Sequence, residues 1–231
     1  MHDELAGTAN LLGEPARAAI LLKLMSGRAL PAGELALAAN ISPQTASGHL
    51  AKLVEGKFIN VERQGRHRYY RLVGTEVADA IEALLTLTGG TRQSNARNSA
   101  VPPAGTLSHA RTCYAHLAGW LGVQITDALQ TKGLLLPAGS KTFAITESGR
   151  SWFEDLGIPV PAPSDRPSAN FAKQCLDWTV RRPHLAGSLG VALYKRFLVL
   201  KWIACLPKSR AVRVTIEGKR ELWKYLRIPI A

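Results

Sequence analysis

Two cysteines and two histidines beyond residue 105 of the chain are of the residue types that bind metal ions. They are Cys113, His116, Cys175 and His184. Thiolate and imidazole groups are the usual ligands of tetrahedral Zn²⁺ sites and of sites for softer metals. On a helix, Cys113 and His116 would share one face because they are three residues apart, whereas Cys175 and His184 could converge only through a turn. The four residues therefore predict one metal site, or a reactive thiol at Cys113.

The same four residues also fit a purely structural interpretation. They contain no CxxC pair, and a free cysteine commonly serves as a small apolar core residue. The two histidines would then form hydrogen bonds at helix starts. All five tryptophans lie in the second half of the chain, where they could build a core or line a pocket for an apolar or anionic aromatic ligand. The sequence leaves the kind of effector open.

A second set of residues has the chemistry of a helix that reads DNA. Ser42 and Pro43 predict a helix that begins there and ends near Gly56, with Ala46 and Leu50 on its apolar face. The opposite face would carry short hydrogen-bonding groups and one cation, which can reach the base edges in the major groove. These residues are Ser42, Gln44, Thr45, Ser47, His49 and Lys52.

A basic hairpin is predicted directly after this helix. Residues 58–62 and 68–72 read as two strands around the turn Gln64-Gly65-Arg66. Three further helices are predicted over residues 15–25, 31–39 and 75–88. Two helices joined by a tight turn and followed by a hairpin make a winged helix-turn-helix. The wing would offer cations to phosphates or to a narrow minor groove: Arg63, Arg66, His67 and Arg68.

Four stretches of the first 88 residues share the pattern of a known family. They are LGEPARAAIL at 12–21, GELA at 33–36, ISPQTASGHLAKL at 41–53 and QGRHRYYRL at 64–72. Residues 5–88 as a whole resemble the arsenic-repressor-type (ArsR/SmtB) winged-helix regulators. This resemblance implies a homodimeric repressor of a pseudo-palindromic site in double-stranded DNA, with the first and last helices of the domain in the dimer contact. Apolar residues of those helices agree with such a contact, although packing inside one subunit is the alternative: Leu5, Leu12, Val77, Ile81, Leu84 and Leu85.

The metal sites of that family do not carry over to this sequence. Its best-known sensors place cysteines in the helix before the DNA-reading helix, where this chain has no cysteine between residues 34 and 39. A second type of site uses Asp and His on the last helix, where Asp79 and Glu82 occur without a histidine. Any cofactor of residues 1–88 is therefore unknown, and a signal would enter through the rest of the chain.

An internal repeat organises the second half. The octet HLAGWLGV at 116–123 recurs as HLAGSLGV at 184–191, and FAITESGR at 143–150 corresponds to VRVTIEGK at 212–219. We predict two winged-helix-like copies, each in the order helix, helix, short hairpin, helix. The expected fold class is mainly α with small β-hairpin wings (α+β).

The predicted domains differ in charge. They are the DNA-binding and dimerisation domain 1–88, the linker 89–105, and the effector or accessory domain 106–231, with a first copy at about 106–156 and a second copy at about 170–231. The formal net charge of the chain is +12, and residues 1–90 are neutral because they hold nine basic and nine acidic residues. The excess of positive charge beyond residue 90 would suit contact with flanking DNA phosphates.

Composition and motifs exclude several classes of protein. No run of about 18 uncharged apolar residues occurs and the N-terminus lacks a basic-then-apolar leader, so we expect a cytoplasmic protein without a membrane partner. No phosphate loop, carboxylate pair or nucleophile elbow indicates an enzyme, and a Cys–His enzyme fused to a DNA-binding module is the alternative. The sequence predicts a DNA-binding transcriptional regulator, a dimeric repressor released by an effector that the C-terminal domain senses.

Overall fold

The computed structural model describes residues 2–88, 101–139, 141–162, 170–207 and 209–230. The chain divides into two units, Met1–Ile81 and Glu82–Ala231. Most of the predicted linker 89–105 lies outside the described residues. The first unit ends within the last helix that the sequence predicts for the DNA-binding domain.

The first unit has the order of elements that the sequence predicts. Its elements are α1 (His2–Gly13), α2 (Pro15–Leu24), β1 (Leu30–Pro31), α3 (Ala32–Ala39), α4 (Pro43–Glu55), β2 (Ile59–Gln64) and β3 (His67–Leu72). The strands form an antiparallel sheet in the order β1-β3-β2. Helix α5 (Thr75–Thr88) follows β3, and its residues from Glu82 onward belong to the second unit. The predicted winged helix-turn-helix is confirmed.

The position of α4 follows from residues at its start. Helix α3 ends at Asn40, which adopts a left-handed conformation with φ of 53°, and the chain turns there. The Ser42 hydroxyl accepts a hydrogen bond from the Thr45 N–H at 3.1 Å, and Pro43 occupies the first helical position, where its missing N–H costs nothing. The apolar face of α4 is buried through Ala46, Leu50 and Leu53.

The second unit contains the two copies of the repeat in one order of elements. The first copy has β4 (Arg111–Cys113), β5 (His116–Ala118), α6 (Gly119–Thr131), β6 (Leu135–Ala138), β7 (Thr142–Ile145) and α7 (Glu147–Asp155). The second copy has β8 (Lys173–Leu176), β9 (Pro183–Ala186), α8 (Gly187–Val199), β10 (Ile203–Cys205), β11 (Val212–Val214) and α9 (Ile216–Leu226). Helices make up 49% and strands 21% of the structure, so it contains more strand than the expected mainly helical fold with small wings requires.

The prediction that each copy opens with a helix is wrong. Each copy opens with a hairpin, β4–β5 or β8–β9, and the shared HLAG sequence crosses from strand to helix. Gly119 and Gly187 make this crossing with φ of 80° and 75°, a conformation that other residues rarely adopt. Strands of three or four residues are too short for an alternating pattern to reveal them.

The hairpins pair across the two copies. Strands β6, β7, β8 and β9 form one four-stranded sheet in that order, so the β6–β7 hairpin of the first copy adjoins the opening hairpin of the second. On the other side, the Thr112 N–H donates to the Arg210 carbonyl at 2.9 Å, and the Val212 N–H donates to the Ala110 carbonyl at 2.9 Å. The second hairpin of each copy thus pairs with the opening hairpin of the other copy.

One hydrophobic core is shared by both copies of the second unit. Leu121 and Leu129 of α6 are fully buried in it together with Leu189 and Phe197 of α8. The tryptophans divide between core and surface, because Trp202 is 5% exposed and Trp223 is 51% exposed. Among the described residues, the helices are too short or too polar to cross a bilayer.

Candidate nucleic-acid interface and candidate metal centre

The polar face of α4 lies at the surface of the first unit. Gln44, Thr45, Ser47 and Lys52 are exposed, whereas the apolar side chains of the same helix are buried. Two of the hydroxyls already have partners within the helix: Thr45 Oγ1 is 2.8 Å from Ser42 Oγ, and Ser47 Oγ donates to the Pro43 carbonyl at 3.2 Å. Both hydroxyls keep further hydrogen-bonding capacity toward solvent.

Two of the predicted DNA contacts have structural duties in the first unit. Ser42 caps α4, and His49 places its Nδ1 3.2 Å from the Glu14 carboxylate with its side chain 19% exposed. Glu14 is itself the N-cap of α2, where its carboxylate accepts from the Arg17 N–H at 2.9 Å. Hydrogen bonding to that N–H is the largest effect on the pKa of Glu14 and lowers it. His49 is therefore directed toward the start of α2.

The wing carries the exposed cations that the sequence predicts. Strands β2 and β3 pair Arg63 with Arg68 and Gln64 with His67, and all four side chains are exposed. Gly65 closes the turn with φ of 59°, and the exposed Arg66 follows it. Like charges on facing residues repel each other, and an anionic partner would reduce this repulsion at the end of the hairpin.

The predicted dimer residues differ in exposure within the single chain. Leu5 is 70% exposed and Leu84 is 44% exposed, and three further residues are half-buried: Leu12, Val77 and Leu85. Ile81 is only 6% exposed, so its own chain already buries most of it, and its place in a dimer contact stays a prediction. Leu87, which sequence reasoning did not select, is 75% exposed on α5.

The two opening hairpins bring the four predicted metal ligands together. Cys113 faces His116 across β4–β5, and Cys175 faces His184 across β8–β9. One ligand atom from each residue lies within 4.8 Å of the other three. The predicted helical face shared by Cys113 and His116 is wrong, and the cysteines do occupy equivalent positions of the repeat, which a longer loop in the second hairpin conceals.

The four side chains differ in burial and in proton affinity. Cys113 and His184 are fully buried, His116 is 5% exposed and Cys175 is half-buried. The hydrogen bond between the two sulfurs raises the pKa of Cys113 and lowers that of Cys175, whose pKa the two imidazoles lower further. Nε2 of His116 lies 3.0 Å from Nε2 of His184. The arrangement favours a thiolate at Cys175.

Repeated glycines allow this approach of the two copies. A Cβ atom on Gly122 would lie 2.6 Å from the Leu117 carbonyl oxygen, and one on Gly190 would lie 2.4 Å from the Leu185 carbonyl oxygen. Real Cβ atoms essentially never come so close. The same positions are 3.6 Å from the His184 Cβ and 3.5 Å from the His116 Cβ, respectively. Each glycine therefore lets its helix pack on its own strand and beside the histidine of the other copy.

Comparison with known proteins gives matches for the first unit and for the whole chain. A family model described as "Helix-turn-helix domain" matches residues 12–62. The HTH-type transcriptional regulator YdfF of Bacillus subtilis (strain 168) is 45% identical over 230 residues, which span 100% of both chains. The chain belongs to the HTH-type transcriptional regulators.

Solved structures resemble this regulator over a smaller part of its length. A winged helix-turn-helix DNA-binding domain from Mycobacterium bovis, described as a possible ArsR-family regulator, is 29% identical and covers 37% of this chain and 78% of that chain, with a TM-score of 0.33. The transcriptional repressor BigR from Xylella fastidiosa is 26% identical and covers 37% and 87%, with a TM-score of 0.34.

Sequence reasoning missed a buried charge network beside the cysteines of this regulator. Arg111 is fully buried, and its guanidinium lies 2.9 Å from the Asp177 carboxylate and 3.5 Å from the Glu82 carboxylate. Glu82 on α5 also lies 3.3 Å from Arg210. Two cations thus face two carboxylates, which is the balance that buried charges require.

Asp177 is the most heavily bonded member of this network. Its carboxylate accepts from the Gly119 N–H at 2.7 Å and from the N–H groups of Thr179 and Val180 at 2.9 Å each. Burial raises the pKa of this carboxylate, but Arg111 and hydrogen bonds from the Thr179 side chain and the Val180 backbone outweigh burial and lower the pKa overall. It also lies 3.8 Å from Nδ1 of His184.

The sequence does indicate the position of Arg111, but only when the two copies are aligned with a gap between the cysteine and the histidine. Arg111-Thr112-Cys113 and Lys173-Gln174-Cys175 are both basic, polar, cysteine, and the register of the two hairpins makes them equivalent. The distance from cysteine to histidine differs between the copies, so an ungapped comparison anchored on the histidines does not align them.

Proposed function

We propose that this regulator binds a pseudo-palindromic operator as a homodimer and represses transcription. The observation that carries the proposal is that the polar face of α4 and the basic turn of the wing are both exposed. Gln44, Thr45 and Ser47 would contact base edges, while Arg66 and Arg68 would hold phosphates. A dimer bound across a promoter excludes polymerase by steric overlap, and this is the physical basis for repression.

Exposed apolar residues support the dimer. Helix α1 has no buried residue in the single chain, and Leu5 there is 70% exposed. On α5, Leu84 and Leu87 are 44% and 75% exposed. Large apolar side chains in such numbers gain free energy when a partner covers them. A two-fold dimer presents two copies of α4, which is why the operator should be pseudo-palindromic.

The second unit is the proposed entry point for an effector. Residues 1–88 contain no cysteine, and all three cysteines of the chain lie beyond them. The four residues of the candidate metal centre belong to the second unit. An effector bound there would release the operator only if it favours one state of the dimer over the other.

Site selection from random duplex DNA followed by affinity measurement tests the DNA-reading role of α4. Ser47→Ala and Gln44→Ala should each weaken binding to the selected duplex by about 1–3 kcal/mol and relax base preference at one position. Ser151→Ala is the matched control, because Ser151 Oγ also contacts the carbonyl four residues earlier, at 3.3 Å, on a helix of the second unit. Unchanged affinity and base preference in both α4 variants would refute the assignment of the recognition helix.

Sedimentation of the full chain tests the dimer. Leu84→Glu should give monomers that bind a single half-site weakly, because a charge would lie in the apolar contact. Leu37→Glu is the control, since Leu37 is 83% exposed on α3, outside the proposed contact. A wild-type chain that sediments as a monomer at micromolar concentration would contradict the two-half-site mechanism.

A further inference from the structure

We propose that Cys113, His116, Cys175 and His184 form a tetrahedral Zn²⁺ site at the junction of the two repeat copies. Each copy supplies one cysteine and one histidine from the facing strands of its opening hairpin. The ion would then join the two hairpins. The effect of this ion on DNA binding rests on the proposed function, whereas its binding does not.

The distances fit such an ion. Zn²⁺ bonds to nitrogen at about 2.0–2.1 Å and to sulfur at about 2.3 Å, so ligand atoms at the corners of a tetrahedron lie about 3.3–3.8 Å apart. The four ligand atoms here lie within 4.8 Å of one another, and the two Nε2 atoms are 3.0 Å apart. Side-chain shifts of a few tenths of an ångström to about one ångström complete the coordination.

The chemistry of the donor set selects the class of ion. Two sulfurs and two imidazole nitrogens are soft and borderline ligands, which favour Zn²⁺ over Mg²⁺ or Ca²⁺. Two thiolates would also neutralise the charge of a divalent ion, so the buried centre would carry no net charge. Four protein ligands leave no open position, which is typical of a structural or regulatory site and not of a hydrolytic one.

The environment of His184 is a second, independent observation that points to a metal. The imidazole is fully buried, its Nε2 faces the other ligands, and its Nδ1 has no hydrogen-bond partner among the described residues. An oxygen of the Asp177 carboxylate lies 3.8 Å from that Nδ1. Metal-bound histidines characteristically present their second nitrogen to a carboxylate, which fixes the tautomer.

The site is also placed to act on α5. Arg111 lies two residues before Cys113 on β4, and its guanidinium is 3.5 Å from Glu82 of α5. An ion that fixes β4 against β8 would fix Arg111 as well, together with the Asp177 carboxylate that it contacts. Occupancy of the site would therefore alter how firmly Arg111 holds Glu82 of α5. Helix α5 follows the wing strand β3 along the chain.

Metal analysis of the purified full chain tests the site without reference to DNA. After removal of metal by a chelator and addition of Zn²⁺, the wild type should retain one ion per chain in competition with a chromophoric chelator. Cys113→Ser and His116→Gln should lose this retention. Cys205→Ser is the matched control and should keep it, because Cys205 lies on β10 outside the cluster. Circular dichroism confirms which variants are folded, and Co²⁺ added to wild type should give a sulfur-to-metal charge-transfer band.

Three results would overturn the site: no zinc retained by the folded wild type, equal loss in Cys205→Ser, or a Cys113–Cys175 disulfide in the freshly isolated protein with no metal uptake after reduction. The effect of zinc on DNA binding is tested in a separate experiment. Zinc should change the affinity for a selected operator by about 5–150-fold in the wild type and not in Cys113→Ser. Zinc binding with unchanged DNA affinity would refute the regulatory effect alone, and absence of operator binding in both states would refute the proposed function while leaving the site intact.

Discussion

The two opening hairpins of the second unit are alike in their ligands and different in their loops. Both pair a cysteine with a histidine across two strands. In the first hairpin two residues join the strands, whereas six residues, 177–182, join them in the second. The longer loop contains Asp177, which contacts Arg111 of the first hairpin. The shared part is the candidate metal centre, and the loop that differs contributes Asp177 to the charge network next to α5.

The same contrast separates the basic residues of the two hairpins. Arg111 and Lys173 occupy equivalent positions, opposite Ala118 and Ala186. Arg111 is fully buried between carboxylates, while Lys173 is half-buried. The two copies therefore share the cysteine and histidine of the candidate metal centre, whereas only the first copy contacts Glu82 through its basic residue.

The largest expected effect distinguishes these two basic residues. Arg111→Met should lower the free energy of unfolding of the second unit by about 3–5 kcal/mol, because it leaves the buried Asp177 carboxylate without its cation. Lys173→Met, the matched control in the other copy, should cost about 1 kcal/mol or less. Urea unfolding of the full chain measures both. Equal losses would show that the two hairpins are not specialised as we describe.

The glycines of the repeat should respond alike in both copies. Gly122→Ala and Gly190→Ala should each destabilise the protein by about 1–3 kcal/mol, since the added Cβ overlaps a strand carbonyl. Gly33→Ala on α3 is the control, because a Cβ there meets nothing within 4 Å, and it should be neutral or mildly stabilising. A loss of stability in only one of these two variants would contradict an equivalent packing role for the two glycines.

Asp177→Asn should have a smaller effect that depends on pH. Because the pKa of Asp177 is lowered in the folded state, its contribution to stability is present above the pKa of an unfolded carboxyl, about 3.9, and is lost as pH falls through the folded pKa. The Asn variant should lack that part of the acid-induced loss. It should also weaken Zn²⁺ binding by about 10–100-fold, because the variant lacks the carboxylate that faces Nδ1 of His184. Identical acid unfolding curves for wild type and variant would contradict this role.

Sequence reasoning succeeded where structure is local. Ser42, Pro43 and the spacing of Ala46, Leu50 and Leu53 suffice to place α4, because caps and helical periodicity involve neighbours along the chain. The wing followed from Gln64-Gly65-Arg66 for the same reason. These elements carry the confirmed winged helix-turn-helix, and the assignment of individual base contacts stays a prediction.

It was less successful where contacts are distant along the chain. The metal-ligand residues could be named from their types, but their strands were predicted as helices, and the contact between His116 and His184 that joins the two copies spans 68 residues. Arg111 could not be distinguished from a solvated arginine, since its carboxylate partners are Glu82 and Asp177. Neither partner is near it in sequence. The burial of Ile81 inside its own chain was not foreseen either, because an apolar helical face does not reveal what covers it.

X-ray absorption spectroscopy of the zinc-loaded full chain tests the central claim most directly, because it reports the atoms bound to the ion. The account predicts two sulfur atoms at about 2.3 Å and two imidazole nitrogens at about 2.0–2.1 Å, with one sulfur lost in Cys175→Ser and none lost in Cys205→Ser. A shell of oxygen atoms, or a spectrum unchanged by Cys175→Ser, would contradict a centre built from the two hairpins.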